Sequence, residues 1–218
     1  NFTEAGPEER PTHETLYDYE AGYSFGNNRF RVGANLYFMD YNNQLILTGK
    51  ISEIGEALTS NIKDSYRMGI ELTGGVQITS WLNWNANVTL SQNKIKHFVE
   101  YVDNWDTGVQ EINDLGTTNI AFSPDLIANS MFDFAYKGFI ASFNSQVVRQ
   151  YIDNSSSKDR SIDPYFINSL RIGYAFQPKF MKEITLDVTI NNLFNEKYET
   201  NAWVYSYIEN DTRKKDDG

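Results

Sequence analysis

Three carboxylates, Glu71, Asp133 and Asp187, stand on the polar side of segments that alternate apolar with polar residues. Carboxylates in a wet interior can serve general acid–base chemistry. They equally bond to water or to neighbouring protein, as polar residues lining any water-filled barrel do, and that is the expected use here. Ser155 and Lys158 have the S-x-x-K spacing of penicillin-binding enzymes, but they lie in a Ser-rich stretch with no S-D-N or K-T-G companion. His13 and His97 are the only histidines, and neither has a partner at ligand spacing. Asp103, Asp106 and Gly108 miss the spacing of an EF-hand loop. The sequence has no cysteine, no phosphate-cradling glycine loop and no nucleophile elbow. No enzyme activity, metal or cofactor is expected.

The elements that position these residues are strands. In residues 82–93, LNWNANVTLSQN, the residues Trp84, Ala86, Val88 and Leu90 take one parity, while amide and hydroxyl residues take the other. A strand points successive side chains to opposite faces, so this is an apolar face backed by a polar one. The same alternation runs through residues 65–78, 29–38 and 183–191. It runs in weaker form through 16–25, 127–136, 139–148 and 167–176. Eight strands of about ten residues are expected, a length typical of strands that cross a membrane. Their connections alternate between short (26–28, 79–81, 137–138, 177–182) and long (45–62, 97–123, 150–164 and everything after 199). Short and long links thus fall at opposite ends of an antiparallel up-and-down meander. Pro7, Pro11, Pro124, Pro164 and Pro178 all sit in links or before the first strand, as the missing N–H requires.

Composition fits this reading. Of 218 residues, 40% are hydrophobic, 22% charged and 15% aromatic, and aromatic residues favour strands. A formal charge of −10 argues against a nucleic-acid partner. No apolar run is long enough for a membrane helix. Two settings accept such strands. A soluble β-sandwich, a binding or adhesion module, would pack the apolar parity against a second sheet. A transmembrane β-barrel would turn it to lipid and line a wet lumen with the polar parity. Aromatic residues near strand ends suit the girdles of a membrane barrel, as do the links of alternating length. So does the placing of Gly22, Gly33, Gly69, Gly75 and Gly173 on the polar parity. A small closed barrel with adhesive or enzymatic function would need the first and last strands to pair.

Residues 191–199, Asn-Asn-Leu-Phe-Asn-Glu-Lys-Tyr-Glu, resemble the NLF(D/N)xxY signature near the C-terminus of TonB-dependent outer-membrane receptors, with Asn192, Leu193, Phe194 and Tyr198 as the matching positions. Pro11 and Glu14 before Tyr19-Glu20-Ala21-Gly22-Tyr23 resemble that family's entry to a late barrel strand. Tyr66-Arg67-Met68-Gly69-Ile70-Glu71 resembles its R-x-G-x-E strand, and Ser123-Pro124 with Asn129 its P-x-x-x-x-N strand start. The wording of 36–71 and 98–123 is most similar to receptors of the Bacteroides group. The resemblance implies that residues 1–218 are the C-terminal part of an antiparallel barrel of about 22 strands. The plug domain, the TonB-contacting box and the final strand are then expected to lie outside this sequence.

It also implies a bacterial outer-membrane receptor that imports a scarce solute with energy delivered by TonB through the plug. An iron-siderophore complex is the commonest cargo of the family, with haem, cobalamin or a glycan as alternatives. Lipid and lipopolysaccharide would be its neighbours. In that setting the link 97–123 is the candidate ligand contact, through Tyr101, Asp103, Trp105, Asp106 and Glu111. The alternative is a solvated acidic loop.

Overall fold

The computed structural model describes residues 11–51, 57–151 and 154–217; Pro7 and Gly218 lie outside them. The strands are β1 (Thr15–Gly26), β2 (Phe30–Ile51), β3 (Ala57–Thr79), β4 (Leu82–Ile95), β5 (Val99–Asn104), β6 (Val109–Asp114), β7 (Thr118–Asn119), β8 (Leu126–Tyr136), β9 (Phe139–Tyr151), β10 (Ser161–Phe176), β11 (Ile184–Ile190), β12 (Val204–Glu209) and β13 (Thr212–Asp217). A single turn of 3-10 helix, Lys158–Arg160, precedes β10.

The eight expected strands all form, as one antiparallel sheet in the order β1-β2-β3-β4-β8-β9-β10-β11, with β7 attached to β4. Register carries the parity argument from strand to strand. Ala34, Leu72, Val88, Ala128, Val147 and Phe166 lie side by side across β2, β3, β4, β8, β9 and β10, so the apolar parity of every strand falls on one face. Nothing else among the described residues packs over that face. Leu90 and Phe132 are 49% and 41% exposed although both sit in central strands. A sandwich would bury them, so the sandwich reading is overturned. Among the described residues the outer edges of β1 and β11 have no partner strand, so the sheet is an open arc and not a small closed barrel.

Aromatic pairs mark both borders of the apolar band. Toward the short links, Phe25 meets Phe30, Trp81 meets Phe134, and Phe139 meets Tyr174, with centroids 5.7, 5.3 and 4.8 Å apart. Toward the long links, Phe38 lies between Tyr19 and Tyr66. Polar atoms on the apolar face bond to one another. Trp84 Nε1 donates to Ser130 Oγ at 2.9 Å, and Ser145 Oγ donates to Asn168 Oδ1 at 2.6 Å. Hydrocarbon offers no replacement partner, so such pairing is what the medium demands.

Three expectations about the links need correction. Most of the supposed link 45–62 is strand: β2 and β3 run to Ile51 and from Ala57, and only residues 52–56 fall outside the description. Pro164 lies inside β10, not before it. It occupies a register shift between Ile162 and Tyr165, where the ladder needs no donor from it. The link 97–123 and the tail after 199 are not plain loops either. They supply a second sheet of order β13-β12-β5-β6, the outer cap, in which β12 runs parallel to β5.

The buried hydrophobic residues gather at this long-link end. Ile46, Ile95, Phe98 and Ile120 form a cluster with Ile62 against it, and Val102 of the cap is 1% exposed.

Candidate functional site

The polar face of the arc is a wall of side chains hydrogen-bonded from strand to strand. Arg31 Nη2 on β2 donates to Asn85 Oδ1 on β4 at 2.8 Å; Asn85 Nδ2 reaches Asp133 Oδ2 on β8 at 3.3 Å; and Ser142 Oγ on β9 donates to Asp133 Oδ1 at 2.7 Å. Arg31 must cross β3 to reach Asn85, and it crosses over Gly75. A Cβ there would stand 2.9 Å from both Arg31 Nε and Asn85 Oδ1. Farther along, Asn35 Nδ2 lies 3.2 Å from Glu20 Oε2 and 3.3 Å from Glu71 Oε2. Arg67 donates to Ser123 Oγ at 2.9 Å, and Arg171 to Asp187 Oδ1 at 2.7 Å.

Glu71, Asp133 and Asp187 therefore sit on β3, β8 and β11, each engaged by a different neighbour and none beside another. They are wall components. Glu20, not singled out from sequence, is the carboxylate that approaches Glu71 through Asn35; its polar parity on β1 was the available signal. Ser155 Oγ accepts the N–H of Ser157 in the turn that leads to Lys158. Among the described residues, no three of His, Asp and Glu are grouped as a metal ion would need.

The outer cap has two unlike faces, set by strict alternation of buried and less buried residues along β5. One face turns to the barrel's links. There Glu100, Val102 and Asn104 are buried. Glu100 accepts from Arg160 of the β9–β10 link at 3.0 Å, and from Arg213 of β13 at 3.0 and 2.5 Å. Arg160 also donates to Ser206 on β12, and Lys215 to the backbone oxygen of Asp159 at 3.2 Å. Burial alone would raise the Glu100 carboxyl, but Arg213 and then Arg160 outweigh it and hold the group below its ordinary value.

The other face looks away from those links and carries Tyr101, Asp103 and Trp105. Trp105 stacks on Tyr207 at 3.9 Å and 16°, and Tyr207 is followed by Tyr205 at 5.8 Å and 22°. Tyr205 donates its hydroxyl to Asp103 Oδ2 at 2.5 Å, while Gln110 Nε2 donates to Asp103 Oδ1 at 2.7 Å. These two bonds hold the Asp103 carboxyl below its usual range, whereas burial, followed by the Asp103 acceptor, raises the Tyr205 phenol. At the strand ends Asp106 accepts the backbone N–H groups of Asn210 and Asp211, which closes the β12–β13 turn.

Of the five residues named for ligand contact, the structure places Tyr101, Asp103 and Trp105 together on the outward face of the cap. Asp106 ties β5 to the C-terminal hairpin. Glu111 accepts from Asn104 Nδ2 at 2.9 Å. Tyr205 and Tyr207 complete the group and were missed, because everything after 199 was read as a link. Among the signature residues, Asn192 adopts a left-handed φ of 50°, which asparagine tolerates well. Its side chain brackets Glu196, accepting the N–H and donating to the carbonyl, each at 2.8 Å. Leu193 N–H bonds to Asn168 O at 2.7 Å, and Tyr198 packs on Tyr165 at 4.7 Å. Phe194 is exposed.

An apolar belt with aromatic borders, a polar inner wall and a cap at the long-link end define part of the wall of a transmembrane β-barrel. Residues 12–193 match the family described as TonB dependent receptor-like, beta-barrel, and the chain belongs to that family. It is a family of transport receptors in the outer membrane of Gram-negative bacteria. The chain is similar in fold to the copper transporter OprC (17% identity, TM-score 0.63, 86% of this chain and 28% of that one). It is also similar to the ferric yersiniabactin uptake receptor FyuA from Yersinia pestis (15%, 0.63, 94% and 28%) and to the siderophore receptor PiuA from Acinetobacter baumannii (17%, 0.62, 93% and 27%). It spans less than a third of the length of each of these. A comparison with curated proteins gives no match.

Proposed function

We propose that the receptor of which this chain forms part binds a scarce iron-siderophore complex outside the cell and imports it with energy delivered by TonB through a plug domain. The observation that carries the transport reading is the pairing of an uncovered apolar face, on which Leu90 and Phe132 stand exposed, with the bonded polar wall behind it. Only a barrel wall between lipid and a wet lumen uses both. Siderophore as cargo is favoured by the ferric yersiniabactin uptake named for FyuA and the siderophore named for PiuA. In this reading Tyr101, Asp103, Trp105, Asp106 and Glu111 belong to the cap that an arriving solute meets first.

The test is iron uptake. The complete receptor is expressed in cells stripped of their own siderophore receptors, with and without TonB, and offered a panel of radioactive ferric siderophores. TonB-dependent accumulation from at least one of them is expected. Accumulation of copper, haem or cobalamin alone would replace the cargo, and uptake independent of TonB would refute the mechanism.

A further inference from the structure

The short-link end of the arc differs from the rest of the chain in charge. The whole sequence has 29 acidic residues against 19 basic ones, yet residues 26–29, 79–81, 137–138 and 177–183, the turns at this end, hold Arg29, Lys137, Lys179 and Lys182 against Glu183 alone. Short turns of an outer-membrane barrel lie on the periplasmic side. Cations therefore collect at the periplasmic rim of an otherwise acidic chain. Among the described residues no carboxylate pairs with Lys137, Lys179 or Lys182.

Three of these cations sit on two neighbouring turns. β9 pairs with β10, so the β8–β9 turn and the β10–β11 turn stand about 10 Å apart along the rim. The first is fixed in place: Lys137 and Gly138 have left-handed φ of 47° and 88°, and Ala175 N–H of β10 donates to Gly138 O at 2.7 Å. Lys137 Nζ lies 5.2 Å from the ring centroid of Tyr136. On the same lipid-facing parity, Tyr174 packs on Phe139 at 4.8 Å and on Phe176 at 6.1 Å. The second turn is closed by Met181 N–H on Pro178 O at 3.1 Å, with Lys179 and Phe180 at its tip. Phe180 is 80% exposed, more than any other large hydrophobic residue among the described ones, and Met181 is 55% exposed.

An apolar pair held between two lysines suits a membrane surface. The apolar side chains enter the boundary between headgroups and acyl chains, while the lysine stems run beside them and leave their ammonium groups at the phosphates. Continuity favours lipid over a periplasmic protein as the occupant, because the turns prolong the aromatic border of the lipid-facing belt. Charge then selects the headgroup. A zwitterionic lipid brings its own cation to the phosphate, whereas an anionic one leaves the phosphate to the lysines, each worth about fivefold in binding.

We propose that the β8–β9 and β10–β11 turns bind an anionic phospholipid of the periplasmic leaflet, with Lys137, Lys179 and Lys182 around its phosphate and Phe180 seated among its acyl esters. The site rests on the barrel assignment and not on the cargo.

The test is native mass spectrometry of the complete receptor in detergent, titrated with phosphatidylglycerol or with phosphatidylcholine of the same acyl chains. A saturable phosphatidylglycerol adduct is expected at about tenfold lower concentration than the phosphatidylcholine adduct. Replacing the three lysines together, Lys137→Gln, Lys179→Gln and Lys182→Gln, should abolish the preference. Lys63→Gln, an exposed cation toward the long-link end of β3, should leave it intact. Phe180→Ser should weaken both lipids about threefold. Circular dichroism shows whether the strands persist in each variant. Should the triple variant unfold, Lys182→Gln alone decides, with a loss of about fivefold in phosphatidylglycerol binding expected. The proposal is overturned if the two lipids bind alike, or if glycerol phosphate without acyl chains displaces the lipid at equal concentration. It is equally overturned if the folded triple variant keeps the preference; loss of uptake in that variant would then assign the basic rim to a periplasmic protein. Failure of siderophore uptake by the unaltered receptor would count against the cargo and leave this result untouched.

Discussion

Arg213 on β13 grips the carboxylate of Glu100 on β5 with two nitrogens, at 3.0 and 2.5 Å, across 113 residues of chain. Arg160, from a third segment, adds a bond of 3.0 Å to the same carboxylate. One buried acid thus holds together the β4–β8 link, the β9–β10 link and the C-terminal hairpin. A bidentate arginine pair is among the stronger polar contacts a protein makes, and it fixes geometry as well as energy.

Removing that acid takes the shared carboxylate from two guanidinium groups. Loss of one partner from a buried pair costs about 3–5 kcal/mol, and the half-exposed Arg213 reduces the figure here to about 2 kcal/mol. Glu100→Gln is therefore expected to speed amide exchange in β12 and β13 by roughly 30-fold, if exchange follows opening of the cap. The barrel strands β8 and β9 should exchange as before. Hydrogen exchange by mass spectrometry checks both halves.

Acid should loosen the cap in the same way. The folded-state value of Glu100 is depressed below 4.5, so its contribution to stability is complete at neutral pH and is lost as pH falls through the depressed value. Asp103 and Asp106 are shifted in the same direction and add to the effect. Near-ultraviolet circular dichroism of the Trp105–Tyr207 stack should hold steady from pH 7 to about 5 and decay below about pH 4. A change centred above pH 6 would show that other groups control the cap.

Two adjacent glycines should answer differently to the same substitution. A side chain at Gly75 displaces Arg31 from Asn85, whereas a Cβ at Gly74 has nothing within 4 Å and points to the lipid side. Gly75→Leu is expected to cost about 1–3 kcal/mol through the broken crossing and the steric clash, and Gly74→Leu to be neutral. Urea unfolding midpoints of the receptor in lipid vesicles make the comparison.

The medium outside the wall can be tested with charge. Leu72 and Thr73 are neighbours on β3 with opposite parity. Leu72→Arg places a guanidinium in hydrocarbon at a cost of about 2–4 kcal/mol, whereas Thr73→Arg adds a cation to the wet side at little cost. Equal destabilisation of the two would contradict the assignment of faces.

The arc was legible in the sequence because its two sides meet different media, so that parity along Leu82–Ile95 or Ile184–Ile190 writes the structure directly. The cap was not. In β5 the buried positions are Glu100, Val102 and Asn104, and two of these three are polar; they are buried by Arg160, Arg213 and Glu111, not by an apolar layer. Hydrophobic alternation cannot register a face closed by ion pairs whose partners lie more than 50 residues away. The ends of β2 and β3 escaped notice for another reason. Asn43, with φ of 56°, interrupts the alternation there while the ladder with β3 continues past it. The candidate site was therefore half visible: Tyr101, Asp103 and Trp105 could be named, but the tail residues that organise them could not.

The β2–β3 hairpin reaches farther than a bilayer crossing requires. A strand of 23 residues is roughly 75 Å long, and the apolar stretch of β3, residues 68–78, is only as long as a bilayer crossing requires. Its remaining residues rise above the lipid headgroups as a chimney wall.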